Sequence, residues 1–312
     1  LPFGQAALKF WQMEKDNMSA SQIYLMRFQT SDPVDQIKNR LKKLFKTAGF
    51  DTIVQSGDIT AIKIHFGDKG NVTHVAAAYT VPIVRMIKAC GAKPFLTDTT
   101  VLYKGARENA VDHLQLAFEN GFTFEKVGAP IIIADGIVGK NETEIEIDAP
   151  LNKTVFLATE LVTANSIIVI SHATGHLNVG LGATLKNLGM GMTSRKGKLV
   201  QHSVSKPIIN PTKCTVCGAC ARWCPVHAIT LTAEHAKIDQ KICIGCGECL
   251  AVCRFGAVRF KWDSTNDQLQ KQIAEHALGI VRQKENRIGY LTFLTNMTKD
   301  CDCFTGKQKP NI

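Results

Sequence analysis

The chain has 312 residues, 45% of them hydrophobic, a formal charge of +10 and a mean hydropathy of −0.01. No apolar run approaches the roughly 18 to 20 residues that cross a bilayer as a helix, which excludes a helical integral membrane protein. The length allows one sizeable core plus a second module, and the positive excess comes without any nucleic-acid reading motif.

Residues 1–17, LPFGQAALKFWQMEKDN, lack an initiator Met and the charged and apolar regions of a signal peptide, so 1–21 reads as a leader or remnant outside the fold. With no export signal and many thiols, the expected compartment is the cytoplasm. Ile23 to Phe28 reads as a short buried strand. Asp32 as N-cap and Pro33 at the first helical position open a helix that Gly49 closes. On it Lys38, Arg40, Lys42, Lys43 and Lys46 alternate with inward-facing Ile37, Leu41, Leu44 and Phe45. That pattern describes a solvated face, and it offers a docking patch to an acidic redox partner protein.

Ile59 to Ile64 is the next strand, ending at His65 in the turn HFGDKGN, and a helix through Ile83, Met86 and Ile87 leads to Gly91. Lys93 to Leu96 delivers Asp98. Between Gly105 and Gly121, one helical face carries Ala110, Val111, Leu114, Ala117 and Phe118. Pro130 to Ala134 is an apolar strand stopping at Asp135, and Glu142 to Ile147 alternates like a half-exposed strand. Thr154 to Leu157 and Ser166 to Ile170 read as fully buried strands, the second ending at His172. Leu269, Ile273, Ala277, Ile280 and Val281 mark a late helix, and Ile288 to Leu294 a last strand. Strands alternating with helices predict an α/β fold with a mainly parallel, helix-covered sheet.

Open parallel sheets bind ligands beyond the carboxyl ends of their strands. His65, Asp98, Asp135 and His172 each follow an apolar strand and are, with Lys186, the candidate catalytic groups. The stretch from Ser171 to Ser203 holds His172, His176 and His202 among many glycines. On a helix His172 and His176 share a face suited to a metal, although the glycines argue against a regular helix there. Alternatively Gly180, Gly182, Lys186 and Asn187 cradle the phosphate or carboxylate of a small anionic substrate or cofactor. Cys301 and Cys303, one residue apart, read as reactive thiols or as a metal pair. They join His172, His176 and His202 as a tentative site for one additional metal ion. Cys90 reads as a small core residue.

Eight of the 11 cysteines form one figure written twice: Cys214, Cys217, Cys220, Cys224 and then Cys243, Cys246, Cys249, Cys253, offset by 29 residues. This is the spacing of bacterial two-cluster ferredoxins, in which three cysteines of one run and the fourth of the other hold each cubane. Cys214, Cys217, Cys220 and Cys253 would hold one [4Fe-4S] cluster, and Cys243, Cys246, Cys249 and Cys224 the second. Gly218, Gly245 and Gly247 let backbone amides approach the sulfides. Two such clusters lower the net charge to about +6. Arg254 stands where a proline is expected after Cys253, and a cation there favours the reduced cluster. The chain divides accordingly into 22–206, the first part of the α/β domain; 207–263, an inserted α+β two-cluster ferredoxin-like domain; and 264–312, the last helix, strand and CxC tail.

The motifs KIHFGDKGN at 63–71, FLTDTTVLYKGARENAVDHL at 95–114, IIIADG at 131–136, SHATGH, KNLGMG, KGKLVQHS and the terminal DCDC resemble the iron-sulfur centre proteins of domain-of-unknown-function family 362. Ala173 and Thr174 stand where that family usually has bulkier and basic residues. The resemblance implies an α/β domain carrying a two-cluster insertion, with no settled substrate. A fainter similarity links the loop from Gly180 to Lys186 with nickel-pincer lactate racemase proteins. The expected function is an iron-sulfur protein relaying electrons to a His, Asp and Cys site at the sheet edge. The alternatives are a pure electron carrier and a metal-handling or cluster-delivery protein.

Overall fold

The computed structural model describes residues 21–29, 31–202, 206–243, 245–261, 264–303 and 310. Apart from Ser21, the stretch read as a leader lies outside the described residues. Five parallel strands form the central sheet: β1 (Ile59–Ile64), β2 (Lys93–Asp98), β3 (Ile131–Ile133), β4 (Ser166–His172) and β5 (Ile288–Phe293), in the order β5-β4-β1-β2-β3. Strand alternation sends side chains to two separate cores. Ile62, Ile64, Leu96, Ile168, Ile170, Leu291 and Phe293 meet α1 (Val34–Thr47) and α2 (Ala77–Ala89) on one face. Ala61, Phe95, Ile167, Val169 and Ile288 meet the opposite layer. That second layer holds α4 (Thr184–Gly189), α5 (Arg195–His202) and α6 (Asn266–Lys284). The intervening α3 (Ala110–Glu119) flanks β3. No helix among the described residues is long and apolar enough to cross a membrane.

Several sequence expectations are corrected. Residues 23 to 28 form no strand and are mostly exposed; Met26 and Phe28 are half-buried, Phe28 lying edge-on to Tyr79 and Phe293. On α3 the buried face is His113, Leu116 and Ala117, while Val111 and Phe118 are exposed, because His113 turns in against Phe66. Thr154–Ala158 does not enter the parallel sheet. It pairs antiparallel with Glu142–Glu146, burying Val155, Leu157 and Ala158 while Thr154 and Phe156 stay half-exposed, and packs against α6. Pro33 is the N-cap of α1, so the helix begins one residue later than expected, and Asp32 instead pairs with Arg40 at 2.8 Å.

Residues 206 to 261 build a small unit of short elements, with hairpin strands Ile229–Leu231 and Ala236–Ile238 and a pair joining Ile208–Ile209 to Val258–Arg259. Its apolar core includes Cys220, Cys249 and Cys253 and is completed from outside by Leu102 and Leu199. Lys140 fixes the unit to the sheet layer, pairing with Glu248 at 2.6 Å while its ammonium lies 3.8 Å from the centre of the Trp223 ring.

Candidate functional site

The two cysteine runs fold around two cavities. One is lined by Cys214, Cys217, Cys220 and Cys253, the other by Cys243, Cys246, Cys249 and Cys224. Each cavity therefore takes three thiols from one run and the fourth from the other. The backbone makes room for this: Gly218, Gly245 and Gly247 have φ of +72°, +73° and +74°, a conformation that glycine adopts without strain. Amide N–H groups turn towards the sulfurs, Ala228 donating to Cys224 and Ala257 to Cys253 at 3.2 Å, and Ala236 to Cys214 at 3.4 Å. Such donors favour thiolate over thiol. Four thiols around one cavity are a donor set that suits an iron-sulfur group.

A third cavity, of about 260 Å³, opens at the carboxyl end of the sheet. Lys63 and His65 from the end of β1, Asp98 from β2 and His172 from β4 line it, as do Lys186, His176, His202, Cys301 and Cys303. So the strand-end rule brings together most of the residues it singled out. Sequence reasoning missed Lys63, Arg107 and Lys198, which also line it. All three are buried, and a lysine inside a strand or short helix reads as an outward residue until the sheet faces are known.

Burial forces each of these charges to find a partner. Lys63 Nζ lies 2.9 Å from Asp98 Oδ1 and donates to Asn187 Oδ1 at 2.6 Å. Burial alone would raise Asp98, but Lys63, with His113 and His65, outweighs it and holds the carboxyl well below the usual range. Arg107 Nε donates to Asp68 Oδ2 at 3.0 Å, and its guanidinium also binds the Tyr103 hydroxyl. Lys198 donates to Thr99 Oγ1 at 2.8 Å, and burial brings its pKa down to about 8. Burial likewise holds His176 at about 4 and His202 at about 3, so both are neutral near pH 7.

The segment carrying both thiols is pinned by the residue between them. Asp302 accepts from His172 Nδ1 at 2.7 Å and from Thr73 at 3.3 Å, while His172 Nε2 donates to the Thr295 carbonyl at 2.6 Å. Both ring nitrogens of His172 face acceptors, which requires the imidazolium. Burial opposes that form, yet the Asp302 hydrogen bond and charge outweigh it and raise His172. For Asp302, too, burial is outweighed, by His172 first, and its pKa is lowered. His65 is set differently. Its Nδ1 accepts from the Gly67 amide at 2.8 Å, leaving Nε2 as the protonated nitrogen that points at Cys303 Sγ, 3.4 Å away.

The remaining expected groups have these positions and partners. Asp135 is fully buried beneath the cavity and does not line it; it holds the turn after β2 by accepting from the Thr100 amide and hydroxyl at 2.9 and 2.8 Å. Gly180 lies at an exposed hairpin edge outside the lining, because 174–176 and 180–182 pair as strands. Asn187 lines the cavity, its amide donating to the Ile170 carbonyl at 3.0 Å and to Ser171 Oγ at 3.1 Å while its oxygen serves Lys63. His172, His176, His202, Cys301 and Cys303 all line this one cavity, where both nitrogens of His172 are engaged and His176 Nδ1 accepts from the Asn178 amide at 3.2 Å.

The pinned segment can be loosened by a methyl group or by pH. Gly175 packs on the backbone of Lys299 so closely that a methyl group would overlap its carbonyl, and the Gly175 amide donates to the Thr298 carbonyl at 2.8 Å. Gly175→Ala should cost about 1–3 kcal/mol in denaturant unfolding and raise hydrogen exchange at the residue 175 amide. Docking should also depend on pH. The His172 contribution is present below about pH 6.5 and fades as pH rises through its raised folded value; the Asp302 contribution is present above about pH 3.9 and fades as pH falls through its lowered one. Exchange of that amide in the unsubstituted protein, corrected for intrinsic rate, should be slowest between those limits and faster on both sides.

A family model described as a domain of unknown function, DUF362, matches residues 60–312. The chain is 36% identical over 81 residues to pyruvate synthase subunit PorD of Methanothermobacter marburgensis, a stretch making up 26% of this chain and 93% of that protein. It is 39% identical over 67 residues to indolepyruvate oxidoreductase subunit IorA of Pyrococcus horikoshii, 20% of this chain but only 10% of that relative's length. Among solved structures, the lactate racemase apoprotein from Thermoanaerobacterium thermosaccharolyticum matches 47% of this chain and 34% of its own, with 13% identity and a TM-score of 0.35, a likeness too slight to carry an argument.

Proposed function

The chain belongs to the DUF362 family, and we propose that it is an electron-transfer protein with two [4Fe-4S] clusters that serve the cavity at the carboxyl edge of the sheet. The observation that carries this reading is the exchange of the fourth cysteine between two four-thiol cavities. Cys214, Cys217, Cys220 and Cys253 would hold one cluster and Cys243, Cys246, Cys249 and Cys224 the other. When bound, such clusters supply one-electron redox chemistry.

The chain's own residues give the path two ends. Cys217 is exposed, as are Arg222, Trp223, Arg254 and Phe255; the Arg222 guanidinium donates to the Cys217 carbonyl at 3.3 Å, the Arg254 charge acts on the Cys217 thiol, and Phe255 lines the same cavity. This cationic and aromatic rim suits an acidic redox partner better than the lysines of α1, two of whose cations, Lys38 and Arg40, are already paired with Asp35 and Asp32. At the other end, Leu102 packs in the core that holds Cys220, Cys249 and Cys253 and also lines the sheet-edge cavity. Lys186, Lys198 and Arg107 around that cavity favour a small anionic substrate.

Protein purified without oxygen should contain about eight iron and eight acid-labile sulfides per chain and give an electron paramagnetic signal on reduction. Colourless protein carrying zinc in those loops would sink the reading.

A further inference from the structure

We propose that Cys301 and Cys303 form a dithiol–disulfide couple inside the cavity, a two-electron station that exchanges with a small anionic disulfide. Both sulfurs face the same space, and Asp302, held by His172 and Thr73, keeps the two flanking side chains turned inward. The segment turns at Asp302 and Cys303, and the two thiols it carries have a single residue between them. Cys301 donates its S–H to Cys303, and that hydrogen bond, aided by Lys186, Arg107 and His65, lowers Cys303 while raising Cys301. His65 donates rather than accepts, so it stabilises a thiolate and does not generate one. The nucleophile, its resolving thiol and its cationic surroundings are thus in place together.

In the exchange, the Cys303 thiolate attacks one sulfur of the substrate disulfide, whose S–S bond breaks to release one thiolate. Cys301, losing its proton, attacks Cys303 in the mixed disulfide and releases the second; the substrate has gained two electrons and the pair has become a disulfide. Restoring the pair takes two electrons and one proton, leaving Cys303 as thiolate and Cys301 as thiol. Two one-electron iron-sulfur carriers match that demand, and only this supply of electrons rests on the function proposed above.

The test equilibrates intact, anaerobically purified protein with graded ratios of reduced and oxidised dithiothreitol, quenches in acid, labels with N-ethylmaleimide and weighs the peptide containing residues 301 and 303. The peptide should pass from two labels to none with a two-electron slope and no appreciable single-label species, and Cys301→Ser should leave one label throughout. An abundant single-label species, or two labels at the most oxidising ratio, would overturn the proposal. His65→Phe should slow alkylation of Cys303 by iodoacetamide about tenfold or more; an unchanged rate would remove the assigned donor and count against the site. Iron and visible absorption, measured on the same samples, report on the cluster reading separately: a titrating couple in iron-free protein keeps this inference and defeats the other.

Discussion

Cys253→Ser should strip iron from the cavity lined by Cys214, Cys217 and Cys220 and spare the one lined by its own sequence neighbours. The iron content should fall from about eight to about four per chain. The reason is geometric: Cys253 closes the far run's cavity, held there by the Ala257 amide and by burial in the core with Cys220. Cys253→Ser and Cys217→Ser should therefore leave the same surviving centre, with matching reduced spectra and midpoint, whereas Cys246→Ser should leave the other. If Cys253→Ser instead matches Cys246→Ser, ligation stays within each run and the cross-over is wrong. Because Cys217 is the exposed thiol of its cavity, the first two variants should also slow reduction by a protein donor more than Cys246→Ser does.

Asp98→Ala should destabilise the α/β core by about 3–5 kcal/mol in anaerobic chemical unfolding. Side chains of Lys63 and Asp98 are 1% and 5% exposed, so removing the carboxylate strands an ammonium where water cannot reach it. Asn187 still accepts one bond from Lys63, but a neutral amide does not offset a full charge. The loss should also spread: the Thr99 amide donates to Asp98 Oδ1 at 2.9 Å, and the turn it begins carries Thr100, Val101 and Leu102 towards the cysteine unit. The double variant Lys63→Met with Asp98→Leu should recover most of the stability, because a buried pair replaced by apolar groups costs little. A small effect from Asp98→Ala alone would mean that water enters the cavity and solvates Lys63.

The central sheet is legible because its strands are mostly apolar stretches ended by turns, and each of the five lies close to the stretch that marks it. Legibility fails where one residue's partner is remote in sequence. His113 reads as a polar position on an amphipathic helix until the fold sets Phe66 and Asp98 beside it. Thr154–Ala158 has strand composition, but only the preceding alternation in Glu142–Glu146 decides that it pairs there. The cysteine spacing carries the four-thiol cavities outright, since ligand reach is local. The cations of the third cavity are hidden for the opposite reason: Lys63 and Lys198 are 135 residues apart, and nothing short of the folded sheet relates them.

The cavity wall that carries the CxC thiols is the last part of it to be synthesised. At the usual pace of about 5–20 residues per second, the ribosome takes several seconds between releasing Cys253 and releasing Cys303. Throughout that interval the thiols of the nascent chain are those of the repeated runs and Cys90 alone. If the clusters and the dithiol couple are as proposed above, birth order separates the sulfurs that take iron from the pair that does not.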